Sequence, residues 1–574
     1  MESIREHLQG ACWYHLGACQ EPFEKAIAQL EARSVASAIW GRHGELWSDD
    51  KDEAQEIEDR LGWLDLPRTM RFDVPRIEAL AYELQAAGIE RVLLLGMGGS
   101  SLAPEVLRKV FGVAEGYMDL IVLDTTEPDQ IMRVEETGDL KTTALIAASK
   151  SGTTVETLTL LEYFRGKLEA IVGENWTKHF IVITDPDTPL AERAELEGFR
   201  ACYANPPDVG GRYSALSLFG LVPAALNGID CERLLATGLD MVIRCRATVP
   251  DDENPAAQLG ALLASCANQG RDKLTLLLSP RLASFGSWVE QLIAESTGKE
   301  GKGIVPVDGE PPLELDRYGD DRLFVYVRLE GDDNDTIDDL ATRLANAGHP
   351  LTVLSLDDPY ALGAEFFRWE FATAVAGYLL GINPFDQPNV EAAKERARQA
   401  LERYEETGHL EETEPTIEEG GLALYDDDPE LESIAEYLGQ FLGQARSGDY
   451  VALMAYMDRN DTHSDALQRI RRVIAEKLGV AVTVGFGPRF LHSTGQIHKG
   501  GPNTGLFLQI TCCADRDLEI PGRDYGFGVL RSSQAAGDLA ALQDSDRRAI
   551  RVDIRGQVET GLSELEQTLL QALD

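Results

Sequence analysis

Short apolar runs alternate with amphipathic stretches through most of the chain. The runs at residues 91–97, 119–124, 143–149 and 179–184 are apolar almost throughout and predict strands that are buried on both faces. The stretches between them, such as LAPEVLRKVFG and VETLTLLEYFRGKLEAIVG, repeat apolar residues at helical spacing. Strands and helices in alternation predict a parallel sheet covered by helices on both sides.

The same alternation returns in two later parts of the chain. A second unit begins near Tyr213 with predicted strands KLTLLLS, RLFVYVRL and PLTVLSL, and a third has DYVALMAYM, VAVTVGF, GLFLQIT and AIRVDI. The predicted fold class is α/β, with two doubly wound parallel-sheet domains (α/β/α sandwiches) and a C-terminal α/β domain. The predicted segments are a helical N-terminal part (1–60), a first domain (61–207), a second domain (208–400), an exposed acidic linker (401–428) and a C-terminal domain (429–574).

Charge and composition exclude several classes of partner. Lys and Arg number 53 against 97 Asp and Glu, a net charge of −44 in 574 residues. Such a chain repels nucleic acid and anionic lipid, so neither is expected as a partner. The acid excess indicates a solvated surface, and a salt-rich habitat is left open as a further reason. No metal-ligand spacing such as HExxH occurs, so no metal is expected.

Other features of the sequence favour the cytoplasm. There is no run of 18 apolar residues, and MESIREHLQG lacks the apolar core of a signal peptide. The 8 cysteines form no CxxC pair, which favours reduced thiols.

The segment SKSGTTVET follows the predicted strand 143–149, and five of its nine side chains carry hydroxyls. Hydroxyls and free N–H groups where a helix begins form a cup for an anion, which the helix dipole strengthens. An ordinary helix N-cap, with Glu156 in a capping box, is the alternative, but a cap needs only one hydroxyl. We therefore favour a phosphate site formed by Ser149, Ser151, Thr154 and Thr157, with Lys150 as its one fixed cation.

The turn LLLGMGGSSLAP has two interpretations. A dinucleotide site would use Asp124 at the end of the next strand, but the third glycine of that motif is replaced by Ser101. A tight turn formed by Gly98, Gly99 and Ser100, with its backbone close to a sugar phosphate, fits equally well.

Three further motifs carry candidate chemistry. QLIAESTGKEGKG places Glu295 before a Gly-rich loop, which suits a general base, although a solvated charge is the simpler interpretation. DVGGRYS places Arg212 after Gly211, either as a surface residue or as a guanidinium that stabilises an anion. NPFDQPNVEAAK places Gln387 and Lys394 seven apart on one predicted helix face, a weak signal alone.

Together the five motifs resemble those of the phosphoglucose isomerase family, whose subunit contains two sugar-isomerase (SIS) domains. GMGGSSLAPE is similar to the family's first Gly-rich loop, SKSGTTVETL to its phosphate loop and VGGRYS to its arginine loop. ESTGKEGKG is similar to the catalytic-glutamate loop and NPFDQPNVEAAK to the C-terminal lysine helix. The similarity is to the bacterial type, including the isomerase half of transaldolase–isomerase fusions, although no room remains for a transaldolase domain.

The resemblance implies interconversion of glucose 6-phosphate and fructose 6-phosphate through a cis-enediolate, without cofactor or metal. Glu295 is then the base and Arg212 the charge stabiliser, with Lys394 as a partner in ring opening. Substrate hydroxyls are implied to contact Gln291 and Gln387, and Lys150 and Glu156 to shape the phosphate end. Whether mannose 6-phosphate is a second substrate is left open. The competing hypotheses are a non-catalytic sugar-phosphate-binding SIS regulator and an NAD-dependent enzyme.

One motif departs from the family's order. The expected HSxGQ histidine does not follow Glu295, and FLHSTGQIHKGG occurs at 490–501 in the third unit. We expect that unit to fold back, within the chain or across a homodimer, and to supply His492 for ring opening. His498 is the fallback, and the alternative is that both histidines are structural.

Overall fold

The computed structural model describes residues 12–410, 414–425, 431–514 and 516–574. The described residues form three sheets, of five, five and six strands. Helices cover these sheets, and in the described part of the chain none of them combines the length and apolarity needed to span a membrane.

The N-terminal part is largely helical but begins with a strand. Strand β1 (Cys12–His15) pairs antiparallel with residues 351–354 of the second sheet. Helical periodicity did not predict this strand, because four residues are too few to show an alternating pattern. The helices that follow are α1 (Gln20–Arg33), α2 (Val35–Trp40), α3 (Lys51–Glu58), α4 (Leu66–Thr69) and α5 (Val74–Ala86).

The first sheet is parallel and has the order β3-β2-β4-β5-β6. Its strands are β2 (Arg91–Gly96), β3 (Asp119–Leu123), β4 (Thr143–Ala148), β5 (Phe180–Thr184) and β6 (Ala201–Ala204). Its helices are α6 (Leu102–Phe111), α7 (Pro128–Glu136), α8 (Val155–Val172) and α9 (Pro189–Glu197). The four predicted strands are confirmed, whereas the short edge strand β6 was missed because its residues are only partly buried.

The strand order of this sheet determines where a ligand can bind. β2 has β3 on one side and β4 on the other, so the chain winds away from β2 in both directions. Ligands of such sheets bind at the carboxyl ends of the strands, at the point where the order reverses. The turns after β2 and β4 are GMGGSS and SKSGTT, so both predicted loops lie at this point.

The second sheet has the order β1-β10-β9-β7-β8 and is parallel except for β1. Its strands are β7 (Lys273–Leu278), β8 (Val305–Val307), β9 (Arg322–Leu329) and β10 (Leu351–Leu356). Its helices are α10 (Leu218–Leu226), α11 (Cys231–Arg244), α12 (Pro255–Ala267), α13 (Phe285–Thr297), α14 (Asp335–Asn346) and α15 (Leu362–Leu380). Helix α15 is buried on almost every side and packs against α11, α12 and α13, which explains why most of its residues are apolar.

The third sheet has the order β11-β12-β16-β15-β13-β14. Its strands are β11 (Ile417–Glu419), β12 (Leu422–Tyr425), β13 (Tyr450–Tyr456), β14 (Ala481–Phe486), β15 (Gly505–Cys512) and β16 (Arg548–Ile554). Its helices are α16 (Glu391–Thr407), α17 (Ile434–Leu442), α18 (Asp461–Leu478), α19 (Gly495–Gly500), α20 (Phe527–Asp544) and α21 (Val558–Leu573). All four strands predicted for this unit are confirmed.

The predicted acidic linker is more ordered than its composition indicates. Helix α16 continues to Thr407, and residues 417–425 form a hairpin whose second strand pairs with β16. Leu422 and Leu424 are buried there, so the apolar residues of LALY outweigh the surrounding acids. Residues 411–413 and 426–428 of the predicted linker lie outside the described residues.

The third unit folds back onto the first. Arg489, which follows β14, forms ion pairs with Glu105 on α6 and with Asp124 after β3. Arg531 on α20 is paired with Glu127 at the start of α7, and helix α16 packs along α20. These buried pairs bring the 489–492 turn to the carboxyl end of β2.

Candidate active site

The loop after β4 carries the hydroxyls of Ser149, Ser151, Thr153 and Thr154 at the N-terminus of helix α8, and this group is called the hydroxyl ring below. The Ser149 and Thr154 hydroxyl oxygens are 2.8 Å apart, and Ser149 Oγ accepts the Gly152 N–H at 3.1 Å. Ser151 Oγ lies 2.8 Å from Thr153 Oγ1. Thr154 stands at the N-cap without a side-chain capping bond, so the ordinary capping box is not what the structure shows. Thr157 is buried, and its hydroxyl lies 3.5 Å from the Ala148 carbonyl oxygen.

Lys150 lies beside this ring, but its charge points elsewhere. Its ammonium forms an ion pair with Asp185 and donates to the Pro207 carbonyl oxygen at 2.9 Å. The structure therefore does not bring Lys150 into the hydroxyl ring. An anion there would be held by hydroxyls, backbone N–H groups and the helix dipole.

Two glycines after β2 allow three segments of chain to meet. Gly98 has a φ of +53°, and a Cβ there would lie 2.8 Å from Gln291 Nε2 and 2.9 Å from the His492 carbonyl oxygen. A Cβ on Gly99 would lie 2.0 Å from the Gly211 carbonyl oxygen. Ser100 is buried in the same turn. Larger residues would therefore push apart the segments that carry Arg212, Gln291 and His492.

The dinucleotide interpretation of this turn has no free carboxylate to support it. Asp124 Oδ2 accepts Arg489 Nη1 at 2.8 Å and the Ser101 hydroxyl at 3.2 Å. Asp124 is 3% exposed, so its partners are protein groups and a ribose cannot reach it without breaking them.

Arg212 is the centre of the hydrogen-bond network. It is 4% exposed, and its Nη1 donates to Glu295 Oε1 at 3.1 Å and to Gln387 Oε1 at 2.9 Å. Nη2 donates to the carbonyl oxygens of Pro384 and Asp386, and Nε donates to Ser296 Oγ at 2.6 Å. Since every nitrogen of the guanidinium is engaged, its plane is fixed.

Glu295 is held between Arg212 and Gln291. Gln291 and Glu295 lie one turn apart on α13. Gln291 Nε2 donates to Glu295 Oε2 at 3.0 Å and to the His492 carbonyl oxygen at 2.8 Å. Gln291 Oε1 is buried and has no hydrogen-bond partner among the described residues. An unsatisfied buried acceptor needs a donor, and a substrate hydroxyl would provide one.

His492 reaches the site from the third unit of the same chain. Its Nε2 lies 3.1 Å from Glu156 Oε1, and that carboxylate also accepts Gln534 Nε2 at 2.7 Å. Burial raises the pKa of Glu156, but the charge and hydrogen bond of His492 outweigh it and bring that pKa below its usual value. Glu156 was expected at the phosphate end, and the structure places it on the imidazole instead. Gln534 was missed, because no motif surrounds it.

His498, the fallback histidine, belongs to the core. Its ring lies 5.0 Å from that of Phe507 and close to those of Tyr450 and Phe490. Burial holds the pKa of His498 well below its usual value. It is therefore a neutral packing residue, away from the network around Arg212.

Gln387 and Lys394 do not share a helix face. Pro388 follows Gln387 in a 3₁₀ turn, and α16 begins only at Glu391. Gln387 accordingly contacts Arg212, whereas Lys394 is half-exposed and pairs with Glu391 at 2.7 Å. Lys394 still lies near enough for its charge to help lower the pKa of Glu156.

Lys299, in the motif ESTGKEGKG, is a buried cation that nothing in the local sequence pattern distinguishes from a solvated lysine. Its ammonium donates to Asp386 Oδ1 at 2.6 Å and to the Asn383 carbonyl oxygen. Burial, and then the nearby charge of Arg212, lower the pKa of Lys299 to about 7. It therefore fixes the loop whose carbonyls bind Arg212.

Comparison with known proteins gives a consistent family. The sequence profile described as phosphoglucose isomerase matches residues 58–306. A glucose-6-phosphate isomerase of Thermus thermophilus is 33% identical over 385 residues, covering 59% of this chain and 90% of that relative. One from Parabacteroides distasonis is 30% identical over 388 residues, covering 58% and 86%.

Solved structures agree with this fold. A hypothetical protein of Thermus thermophilus superposes with a TM-score of 0.57 at 29% identity, covering 68% of this chain and all of that one. A glucose-6-phosphate isomerase of Chlamydia trachomatis superposes with a TM-score of 0.51 at 18% identity, covering 64% and 78%. This chain belongs to the phosphoglucose isomerase family.

Proposed function

We propose that this chain is an isomerase that interconverts glucose 6-phosphate and fructose 6-phosphate, with Glu295 as the base that transfers the proton. The relatives named above as glucose-6-phosphate isomerases support the substrate pair. The observation that carries the residue assignment is the position of Glu295 between Arg212 at 3.1 Å and Gln291 at 3.0 Å. The Arg212 loop lies 83 residues from Glu295 in sequence, so folding brings these groups together.

The phosphate of the substrate binds the hydroxyl ring of 149–157 in this proposal. Ser149, Ser151 and Thr154 donate to its oxygens, and the N-terminus of the 18-residue helix α8 adds a favourable dipole. Anchoring one end of the sugar holds its first two carbons against the base, and such positioning lowers the barrier by removing translational and rotational freedom.

Ring opening is the task of His492 and Glu156. Glu156 orients the imidazole through its contact with Nε2, and the imidazole transfers a proton to the ring oxygen. The hydrogen bond from Gln534 holds the carboxylate in place. Lys394, on the adjacent helix α16, is the second candidate for proton transfer in this step.

Isomerisation of the open sugar follows through a cis-enediolate. Glu295 removes the C2 proton and returns it to C1, so one side chain is both base and acid. Negative charge that develops on the enediolate oxygen is stabilised by the fixed guanidinium of Arg212. Gln291 and Gln387 hold the sugar hydroxyls in this proposal.

The variant Glu295→Gln tests this assignment. The amide keeps the size of the side chain but cannot accept the proton, so kcat falls by ~10² or more. Binding of a substrate analogue should change little, because the substitution leaves the hydroxyl ring that binds the phosphate untouched. Glu300→Gln, on the exposed loop that follows the same helix, is the matched control and keeps wild-type kcat.

Conversion of fructose 6-phosphate is followed in a coupled dehydrogenase assay. Full turnover in Glu295→Gln would remove Glu295 from its role. Sugar-phosphate binding by wild-type protein without any turnover would instead favour the regulator hypothesis.

A further inference from the structure

The turn of residues 383–387 supplies much of what holds the guanidinium of Arg212. Arg212 Nη2 donates to the carbonyl oxygens of Pro384 and Asp386, at 2.8 and 2.9 Å. Nη1 donates to Gln387 Oε1 at 2.9 Å. Any movement of this turn is therefore passed on to the group that stabilises the enediolate in the proposed reaction.

A second cation, Lys299, binds the same turn. Its ammonium donates to Asp386 Oδ1 at 2.6 Å and to the Asn383 carbonyl oxygen. Lys299 is 3% exposed, so water competes little for these bonds. Asp386 is thus bound twice, through its carboxylate by Lys299 and through its carbonyl oxygen by Arg212.

The backbone of Lys299 is fixed as well, so the ammonium is presented from a rigid base. Lys299 lies just after the end of α13, and its N–H donates to the Lys302 carbonyl oxygen at 3.0 Å. Its own carbonyl oxygen accepts the Lys302 N–H at 2.8 Å. The ammonium of Lys302 donates to the carbonyl oxygens of Leu380 and Gly381, which precede the turn. Of these two lysines, Lys299 is the one that contacts the turn.

We propose that Lys299 is a positioning residue for the isomerase reaction, because its ammonium holds the turn that holds Arg212. The inference rests on the proposed function, in which the guanidinium stabilises the charge of the enediolate. Lys299 acts on this guanidinium through the turn, and its side-chain bonds go to the turn rather than to the hydroxyl ring. Its loss should therefore affect turnover more than substrate binding.

The grip on the turn depends on the proton of Lys299. Burial and the charge of Arg212 lower the pKa of Lys299, whereas the carboxylates of Asp386 and Glu295 raise it, and the result is a pKa of about 7. The ammonium is therefore present below that pH and is lost as the pH rises through it. A neutral amine forms a weaker bond to the Asp386 carboxylate, so the turn is held less tightly at pH 8 than at pH 6.

The variant Lys299→Met tests the positioning role in the full chain. Methionine keeps an unbranched apolar stem but has no ammonium, so kcat should fall about tenfold to a hundredfold at pH 6.5. KM for fructose 6-phosphate should change less than about threefold, because the hydroxyl ring is untouched. Lys302→Met is the same substitution in the same loop, away from the turn, and should keep wild-type kcat.

The pH profile separates positioning from a general loss of structure. The ratio of wild-type kcat to that of Lys299→Met should be largest near pH 6 and should decrease above pH 7, because the wild type then loses the ammonium that the variant lacks. Groups that titrate in both proteins cancel in this ratio. Asp386→Asn, at a half-exposed side chain, removes a carboxylate that raises the pKa of Lys299, so the fall in its kcat should begin at a lower pH than in the wild type.

Hydrogen exchange reports on the turn without any turnover. The Phe385 N–H donates to Asn383 Oδ1 at 2.9 Å inside the turn. In Lys299→Met, a peptide that contains this amide should exchange about threefold faster or more than in the wild type at pH 6.5. The same peptide in Lys302→Met should exchange at the wild-type rate.

Three results would overturn the proposal: wild-type exchange of this peptide in Lys299→Met, wild-type kcat in that variant at pH 6.5, or a kcat ratio that stays constant from pH 6 to pH 8. If Lys299→Met does not fold, an unshifted kcat profile in Asp386→Asn overturns it as well. A wild-type protein without isomerase turnover would instead contradict the proposed function, and the exchange rates would still decide whether Lys299 holds the turn.

Discussion

Replacement of Gly99 by alanine tests whether the closeness of two loops sets the position of Arg212. The added Cβ would lie 2.0 Å from the Gly211 carbonyl oxygen and 2.9 Å from the Arg212 nitrogen. Ordinary contacts need ~3.5 Å, so the arginine loop must move by about 1 Å or more. Gly99 does not have a positive φ, so the effect is steric rather than conformational.

The size of the effect follows from that displacement. A shift of about 1 Å in a positioning group costs ~10² in kcat, and an overpacked contact destabilises the fold by ~1–3 kcal/mol. Gly99→Ala should therefore lower kcat by about a hundredfold at a temperature where circular dichroism shows it folded.

Gly210→Ala is the matched control for this variant. Its Cβ meets only Tyr213 Cδ2, at 3.5 Å, so this variant should keep wild-type kcat. Wild-type turnover in Gly99→Ala, measured by the coupled assay beside Gly210→Ala, would refute the claim that this contact positions the guanidinium.

Three further predictions follow from other contacts. Lys150→Met should change KM less than about threefold in steady-state kinetics, because the ammonium is paired with Asp185. Thr154→Val should raise KM by about tenfold in the same assay, because it removes a hydroxyl that donates to the phosphate. Gln534→Leu should shift the pH profile of kcat by removing a hydrogen bond from the ionised Glu156, and an unchanged profile would contradict its positioning role. Burial raises the pKa of Glu370 well above its usual value of 4.5. As the pH rises, this carboxyl group therefore loses its proton in the unfolded chain at a lower pH than in the folded chain. The free energy of unfolding then falls above pH 4.5, by up to ~1.4 kcal/mol per pH unit, until the pKa of the folded state is reached. Glu370→Gln removes this loss of stability, because the amide does not titrate. The melting temperature of the variant minus that of the wild type should therefore be larger at pH 8 than at pH 5, and an equal difference at both pH values would contradict this prediction.

The sequence predicted those parts of the fold in which local pattern and burial agree. Strands buried on both faces leave uninterrupted apolar runs, as in β2 and β4, and these were found close to their observed bounds. The position of Glu295 near the end of a helix was also predicted, because the apolar spacing of that helix and the glycine-rich loop after it are local features of the sequence. The short strands β1, β6 and β8 carry too few residues to show a pattern, so only the completed sheets reveal them.

Side-chain directions depended on partners that are distant in sequence. Lys150 turns to Asp185, which is 35 residues away, and Glu156 pairs with a histidine 336 residues away. Gln534 reaches Glu156 across 378 residues and carries no motif of its own. Such contacts exist only once the third unit has packed against the first, so no local pattern could predict them.

The most direct test of the central claim is a crystal structure with phosphoarabinonate, an analogue of the enediolate. We predict that its phosphate lies in the ring of Ser149, Ser151 and Thr154, with its carboxylate against Arg212 and within ~2.6–3.2 Å of Glu295. An analogue that binds with its carboxylate away from Glu295, or with its phosphate outside the 149–157 loop, would contradict the proposed reaction.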